Sequence, residues 1–442
     1  MQQQTSASEP IVPRQYRLPF ILLVTCFALW GIVNAMAEVL VKAFNSVFPE
    51  LTEMGTIMSV SSHYGAYAVL AIPASLLIKK YSYKAGVLLG LGVFFFGVLG
   101  YVPAAIFHSY GICLGSIFVY ASGCSILETT CNPFVLSMGS QETAVRRLNF
   151  AQQFNPVGSL IGLLVATYVI FDNMVQVRPG DVLSDEQLSQ NLIWLVTPYV
   201  VLAVVVLLLW FAFVFTKTPN ASAPGEEGDS GEARPFGASL RSLLARPRYR
   251  WGVLTQFFYV GLQTMAWVYV LHYGDKVMGY DDKTAMYFYI AAMCCFIVMR
   301  FVCTALMKKF NPASMMALMA VIGLLLCMGA VYLPGIVGLL CVVAISGCLS
   351  LMFPTIYGIA LRNLGSDSKL GAAGLVMAIL GGAAIPPVFA YCLENESLSA
   401  LTFGLYGGEE AALRSSYYVL AICLVIVLAY ALRFRNAHNT QD

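Results

Sequence analysis

This chain has few charged residues, and that shortage excludes most classes of protein. Charged residues make up 11% of its 442 residues, hydrophobic residues make up 59%, and the mean hydropathy is +0.75. Soluble domains carry about 25% charged residues, so this composition excludes a soluble protein. The net charge of +2 comes without a basic cluster interleaved with aromatic residues, which argues against a nucleic-acid partner.

Several chemical patterns are also missing. The 12 cysteines lie almost entirely in apolar segments without a CxxC pair, which is typical of small buried side chains rather than of metal ligands or disulfides. No nucleophile–base or metal-ligand pattern is present, so we expect neither an enzyme nor a bound cofactor. The apolar runs are long instead of short and alternating, which excludes an outer-membrane barrel.

What the chain has instead is a series of long apolar runs. A helix needs roughly 20 apolar residues to cross a bilayer, and no signal-peptide cleavage site follows the first run promptly. The sequence therefore predicts an all-α membrane protein of twelve transmembrane helices. The predicted spans are 18–41, 55–78, 85–107, 110–138, 148–171, 192–215, 251–273, 285–307, 313–333, 335–361, 370–392 and 416–433.

The turns between these runs predict the orientation and the division of the chain. Of the 25 lysines and arginines, those that fall on the side away from the two termini are Lys42, Arg178, Lys276, Lys283 and Arg414. The positive-inside rule therefore predicts cytoplasmic termini. Residues 216–250 are rich in Pro, Gly, Ser and Glu, which indicates a linker that leads into a short basic surface helix near Leu240–Leu244.

We therefore expect two halves of six helices each, with a basic turn at Lys79-Lys80 repeated weakly at Lys308-Lys309. Such a repeat places a substrate site near the bilayer midplane, between the halves. The predicted parts of the chain are a cytoplasmic tail (1–17), a first bundle (18–215), the linker (216–250), a second bundle (251–434) and a second tail (435–442).

Two of the 23 acidic residues, Glu38 and Glu128, lie inside the apolar runs. A carboxylate at membrane depth costs several kcal/mol of desolvation, so it faces protein or a water-filled cavity. Ion pairing is a weak explanation, because the one cation within a span, Arg300, lies near the end of its helix and is expected to brace the following loop. We therefore predict that Glu38 and Glu128 carry protons and that Glu128 also contacts substrate.

Polar stripes on four spans indicate a shared cavity. Residues four apart lie on one face of a helix, and the stripes combine amides, a tyrosine and a tryptophan. The candidate substrate-binding residues are Asn34, Glu128, Asn132, Gln152, Asn155, Gln256, Tyr259, Gln263 and Trp267. Each amide could instead join neighbouring helices by hydrogen bonds. Trp267 could instead be a packing residue or part of an interfacial aromatic belt. His63 is interpreted as a hydrogen-bonded core residue or as part of a proton relay.

The same residues describe the ligand. Amides and carboxylates pair with vicinal hydroxyls, and an aromatic ring covers C–H groups. Since no cation cluster lies inside the spans, a neutral sugar fits better than an anion. An organic cation attracted by the two carboxylates remains the chemical alternative.

Six stretches carry a family resemblance. They are YSYKAG at 81–86, LETTCNPF at 127–134, LNFAQQFN at 148–155, QFFYVGLQTMAW at 256–267, FPTIYGIALRNLG at 353–365 and VMAILGG at 376–382. Over nearly its whole length the chain resembles the fucose–proton symporter group of the major facilitator superfamily. The pattern GxQTxxW is similar to the fucose branch more than to the glucose/galactose or N-acetylglucosamine branches.

This resemblance implies the major facilitator fold and proton-coupled uptake of a sugar, with H⁺ as the coupling ion. It also implies one carboxylate on the first span and one on the fourth in coupling and sugar binding. One departure matters: the family's NxLND reads NAMAE here, with Ala37 and Glu38. Glu38 can carry a proton as the family's Asp does, with one more methylene group. Ala37 replaces the family's Asn, so one amide is lost and the shape of the cavity changes.

The expectation is thus a monomeric symporter in a bacterial cytoplasmic membrane that imports L-fucose or a related hexose with protons. A glucose/galactose-type symporter of the same group and a proton/organic-cation antiporter are the alternatives. The sequence leaves open the exact sugar and the choice between proton and sodium.

Overall fold

A computed structural model describes residues 10–47, 53–171, 173–174, 184–218, 235–394 and 398–435. Within these ranges, the side chains of 37–47, 53–61, 171, 185, 282–283 and 394 lie outside the description. All regular elements in the described ranges are helical. This agrees with the predicted all-α class.

The first half of the chain contains eight helices. They are α1 (Arg17–Val47), α2 (Glu53–Lys80), α3 (Tyr83–Leu99), α4 (Tyr101–Ile106), α5 (Tyr110–Ser137), α6 (Gln141–Gln152), α7 (Phe154–Val165) and α8 (Asp185–Phe215). A 3-10 turn, Arg14–Tyr16, precedes α1, and a π-helical segment, Ala166–Phe171, extends α7. Because α3 continues into α4 and α6 into α7, these helices form six spans.

The second half repeats this arrangement after a surface helix. Its helices are α9 (Phe236–Ala245), α10 (Pro247–Lys276), α11 (Asp282–Leu306), α12 (Pro312–Tyr332), α13 (Gly335–Leu349), α14 (Met352–Ala360), α15 (Ser368–Met377), α16 (Gly381–Ala384), α17 (Pro386–Glu394) and α18 (Gly408–Arg433). Three 3-10 turns, Gly365–Asp367, Ala378–Leu380 and Ser399–Thr402, connect them. The pair α13–α14 and the series α15–α17 each form one span, and α9 is the predicted surface helix.

The twelve spans agree with the apolar runs read from the sequence. Ten of the described helical stretches are long and apolar enough to cross a membrane. The other two are α2 and α10, whose polar side chains lower their hydropathy.

Local side chains fix several helix starts. Ser82 and Ser109 accept hydrogen bonds from the backbone N–H three residues ahead, at the starts of α3 and α5. Ser184 and Gln187 form a reciprocal capping box at the start of α8. Such caps satisfy N–H groups that have no partner within the helix.

Glycines allow α1 and α7 to pack closely. A Cβ atom at Gly31 would lie 2.0 Å from the carbonyl oxygen of Asn155, and one at Gly158 would lie 2.0 Å from that of Ala28. Only a residue without a side chain fits at such a crossing. This contact places the polar start of α7 directly against α1.

The two halves meet near the face of the bundle that carries the basic turns, which we call the basic face. Asn149 on α6 donates to Thr355 on α14 across 3.3 Å, and Val145 packs against Gly358. The contact extends inward to Tyr64 of α2, which lies against Gly382 of α16. Beyond that level, the main neighbours of α17 are α18, α10 and α16 of its own half. These contacts hold the two halves together at the basic face.

Candidate functional site: a buried carboxylate between the two halves

Glu128 lies in the middle of α5 and is only 2% exposed. Within the described part of the chain no lysine or arginine pairs with it. Ionisation of a carboxyl group in such surroundings is costly, so the group is either protonated or hydrogen-bonded. The group therefore has the surroundings of a proton carrier rather than of an ion pair.

The polar neighbours of Glu128 come from three helices of the first half and one of the second. The Asn132 amide lies beside its carboxylate, and the Gln152 Nε2 donates to the Asn132 Oδ1 across 2.7 Å. Tyr67 of α2 and Tyr357 of α14 also face this cluster, and Tyr357 lies beside Asn132. The structure thus brings together the predicted residues Glu128, Asn132 and Gln152.

Several buried polar atoms in this cluster have no hydrogen-bond partner among the described residues. They are Glu128 Oε2, Asn132 Nδ2 and the Tyr357 hydroxyl. Thr129 Oγ1 and both polar atoms of the Gln153 side chain, which follow Glu128 and Gln152 in the sequence, also have no partner among the described residues. Buried polar groups in proteins are nearly always hydrogen-bonded, so a local group of exceptions needs a functional explanation. Donors and acceptors contributed by both halves suit a small polyhydroxylated ligand.

Two prolines shape the helices next to this cluster. Pro156 has no N–H to offer the carbonyl of Gln152, and Pro354 has none for the carbonyl of Ser350, so both helices break there. Arg300 of α11 satisfies both carbonyls: its Nη1 donates to Gln152 across 2.9 Å, and its Nε donates to Ser350. The prediction that Arg300 braces the loop after its helix is wrong, because its guanidinium instead joins the two proline breaks.

Next to Arg300, two aromatic side chains of the second half form a wall. The guanidinium lies over the Phe296 ring at 4.8 Å from its centroid, and Phe296 meets Trp267 edge-to-face at 5.3 Å. Trp267 is half-buried, and its indole N–H has no partner among the described residues. A tryptophan held in this way offers both an apolar ring and one donor to a ligand.

Three further candidate amides, outside the Glu128 cluster, differ in burial and in their neighbours. Asn34 is half-buried on α1, beside the Tyr67 hydroxyl. Gln256 is fully buried, and neither polar atom of its side chain has a partner in the described structure. Gln263 is half-buried on α10, four residues before Trp267. These three amides remain candidates for ligand contact.

Two candidates use their polar groups within the fold. The Asn155 Nδ2 donates to the carbonyl of Phe27 across 3.3 Å, which joins α7 to α1. The Tyr259 hydroxyl donates to the carbonyl of Leu349 across 3.0 Å, at the end of α13. Asn155 therefore joins neighbouring helices, which is the alternative role considered for the amides.

The side chain of Glu38 lies outside the described residues, although the helix α1 that carries it continues to Val47. Its predicted role is neither supported nor opposed by contacts. The described part of the chain contains no cluster of three or more potential metal ligands. All twelve cysteines are free.

Sequence reasoning missed Tyr67, Phe296 and Tyr357. Tyr67 follows His63 by four residues, a helical spacing that marks it as part of the same face. Tyr357 stands in the stretch FPTIY, where its ring could have been noted beside Pro354. Phe296 carries no signal, because it is one of many apolar residues in its span.

Comparison with known proteins agrees with this architecture. Residues 19–387 match the Major Facilitator Superfamily. The chain is 36% identical to the L-fucose-proton symporter of Haemophilus influenzae, over 96% of this chain and 98% of that protein. It is 28% identical to a glucose/galactose transporter of Brucella abortus, over 84% and 87%. Among solved structures, the transporter FucP in the outward conformation superposes with a TM-score of 0.84 at 33% identity, covering 96% of this chain and 99% of that one.

Proposed function

Because this chain belongs to the major facilitator superfamily and, within it, to the fucose–proton symporter family, we propose that it imports L-fucose or a related 6-deoxyhexose together with protons. The observation that carries this proposal is the uncompensated carboxyl of Glu128 among unpaired amides and hydroxyls, at the meeting point of the two halves. The sugar leaves chemically unchanged, and no cofactor takes part.

The proposed setting is a bacterial cytoplasmic membrane with both termini in the cytoplasm. The basic face, where the described contacts join the two halves, is then cytoplasmic. Residues 1–17, 216–250 and 435–442 are cytoplasmic segments around the two bundles at 18–215 and 251–434, and the protein works as a monomer. The placement of the termini and of the basic face in the cytoplasm rests on the positive-inside rule and on the basic turns.

In this proposal Glu38 is the main proton carrier, and Glu128 links sugar binding to protonation. Asn132 and Gln152 position the Glu128 carboxyl and bind hydroxyls, with Asn34, Gln256 and Gln263 completing the polar lining. Asn155 and Tyr259 support this lining by joining the helices around it. Trp267 covers the C–H face and the methyl end of the sugar. The edge-to-face contact with Phe296 supports that role by fixing the indole plane.

The driving force for such uptake is sufficient. A tenfold difference in proton activity contributes about 1.4 kcal/mol. A membrane potential of 100 mV adds about 2.3 kcal/mol for each charge moved. Together they support accumulation of a neutral sugar by roughly two to three orders of magnitude per proton.

Uptake of labelled L-fucose into membrane vesicles tests the proposal. We expect accumulation when an inward proton gradient is imposed, equilibration without it, and no response to a sodium gradient. Equal competition by galactose would favour the glucose/galactose type. Failure of any sugar to accumulate, with proton-driven exchange of an organic cation instead, would favour the antiporter and overturn the proposal.

A further inference from the structure

The surface helix α9 is an element that the proposed function leaves unused. It has ten residues, Phe236–Ala245, and only Arg246 separates it from α10. At about 1.5 Å per residue it is far too short to cross a hydrocarbon layer of about 30 Å. Its contacts with α15 and with the turn Gly365–Asp367 place it at the basic face. The helix therefore lies at the membrane surface instead of spanning the bilayer.

One side of α9 is attached to the rest of the protein. Ser239 and Leu243, four residues apart, are its buried residues. Lys79 at the end of α2 donates to the Ser239 hydroxyl across 3.4 Å, and Leu243 packs against α15. Arg246, directly after α9, donates to the carbonyl of Asn363 across 2.7 Å. These contacts fix which side of the helix faces the protein.

An apolar stripe on α9 lies next to that attached side and is exposed. It consists of Phe236, Leu240 and Leu244, which recur at intervals of four residues. At 3.6 residues per turn, the stripe lies about a quarter of a turn from the side that carries Ser239 and Leu243. A continuous row of large apolar side chains, unlike scattered ones, indicates a surface that another apolar phase covers.

The residues that follow α9 identify that phase. Trp251 and Leu254 are exposed on α10, a helix that spans the membrane, so their neighbours on the exposed side are lipids. Tryptophan is enriched at the level of the lipid headgroups. Because α9 joins this end of α10 through a single residue, its apolar stripe lies near the same level. The lipid interface therefore covers the stripe.

The charges around the stripe favour one kind of lipid. Residues 235–250 contain four arginines and no acidic residue. Arg241 and Arg250 are exposed, and Arg241 is a neighbour of Leu244, three residues ahead on the helix. Asp367, in the turn that α9 contacts, is buried. Arginine binds phosphate through a planar set of donors, and a net positive surface favours headgroups of net negative charge.

We propose that α9 binds anionic phospholipids of the leaflet at the basic face. Phe236, Leu240 and Leu244 enter the boundary between headgroups and acyl chains, while Arg241 and Arg250 bind the phosphates. The binding is noncovalent. The bound lipid steadies a helix that touches both α2 of the first half and α15 of the second.

Hydrogen exchange of the backbone amides tests this site in the full-length protein. Nanodiscs that each hold one copy exclude a second copy as the cover of the stripe. One set contains phosphatidylcholine alone, and the other contains equal parts of phosphatidylcholine and phosphatidylglycerol. The amides of α9 should exchange about fivefold more slowly in the anionic set for each arginine that binds a headgroup. Added salt should reduce this difference.

The variants separate the charged contacts from the apolar ones. Arg241→Gln combined with Arg250→Gln should remove most of the difference between the two sets. Leu240→Ser should speed the exchange of α9 in both sets, because the stripe then holds the interface less firmly. Arg433→Gln, at the exposed end of α18, is the matched control and should leave α9 unchanged. Slow exchange of the buried helix α5 reports a folded bundle in every variant.

Two results would overturn the site. Equal exchange of α9 in both sets would mean that uncharged lipid, or the acidic residues at 226–232 that precede α9, cover the stripe. A difference that persists in the double arginine variant would place the anionic lipid elsewhere on the protein. Neither result concerns sugar uptake, so the proposed function would stand in both cases.

Discussion

Arg300 of the second half donates a hydrogen bond from Nη1 to the backbone carbonyl of Gln152 in the first half, across 2.9 Å. Pro156 leaves this carbonyl without its usual helical donor, and the Gln152 side chain holds Asn132, which lies beside Glu128. One residue thus connects the surroundings of the Glu128 carboxyl to the seam between the halves. The same guanidinium holds the Ser350 carbonyl that Pro354 leaves free, so both breaks depend on it.

Arg300→Met should therefore weaken the closed state of the basic face. Loss of a charged hydrogen-bond donor costs about 1.5–3 kcal/mol, which corresponds to about a tenfold or greater shift toward the open seam. The rate at which a thiol reagent modifies a cysteine placed at Val145, beneath Gly358, should rise accordingly over the background of the native cysteines. Arg433→Met, at the exposed end of α18, is the control and should leave the rate unchanged. Equal rates for both would contradict the bridging role.

Glu38→Gln should abolish accumulation driven by a pH gradient and leave sugar exchange largely intact. An amide of the same shape cannot release a proton, whereas it still fills the same space. Measurement of both activities on one vesicle preparation checks this. Glu38→Asp keeps a carboxyl and should retain accumulation, so a loss equal to that of the amide variant would argue that shape rather than proton exchange matters.

Glu128→Ala should impair both sugar binding and exchange. Removal of one charged hydrogen-bond partner costs about 1.5–3 kcal/mol, or about ten- to a hundredfold in affinity for L-fucose. Titration calorimetry of the purified protein measures this loss directly. Glu142→Ala, at the exposed start of α6, is the matched control. An affinity unchanged by Glu128→Ala would remove this residue from the site.

Trp267 should govern the choice between a 6-deoxy sugar and its 6-hydroxyl counterpart. An indole wall suits a methyl group, whereas a buried hydroxyl without a partner costs about 1–3 kcal/mol. L-fucose should therefore compete for uptake far better than galactose of the same ring configuration, and Trp267→Ala should narrow that difference. Trp251→Ala, on an exposed part of the same helix, should preserve it. Similar competition by the two sugars against the unmodified protein would show that this wall does not select the methyl group.

Gly158 offers a test of the packing between α1 and α7. A methyl group there would meet the Ala28 carbonyl oxygen at 2.0 Å, so Gly158→Ala should destabilise the folded protein by about 1–3 kcal/mol. Gly115→Ala, where the added methyl meets nothing within 4 Å, should gain helix propensity and lose no stability. Thermal unfolding midpoints in one detergent compare the two variants. Equal midpoints would mean that α1 and α7 can separate at no cost.

Much of this architecture follows from the sequence. The length of each apolar run fixes how many times the chain can cross a bilayer, and the helical period places Glu128 and Asn132 on one face. The surface helix near Leu240 follows from its flanking linker and from its own pattern. These properties are local, since each depends on residues close together along the chain.

The meeting of distant residues was decided by the tertiary structure. The stripe on α6 and α7 offers both Gln152 and Asn155, yet the break at Pro156 turns Gln152 toward Asn132 and lets Asn155 hold the Phe27 carbonyl. No spacing in the sequence could make that distinction, because it depends on how each helix is rotated and bent against its neighbours. For the same reason Arg300 looked like a residue of its own loop, whereas the packing of the two halves placed it between them. The sequence by itself determined a chain of twelve spans with two acids within its apolar runs. The folded chain decided which polar groups surround Glu128, the one of the two whose side chain is described.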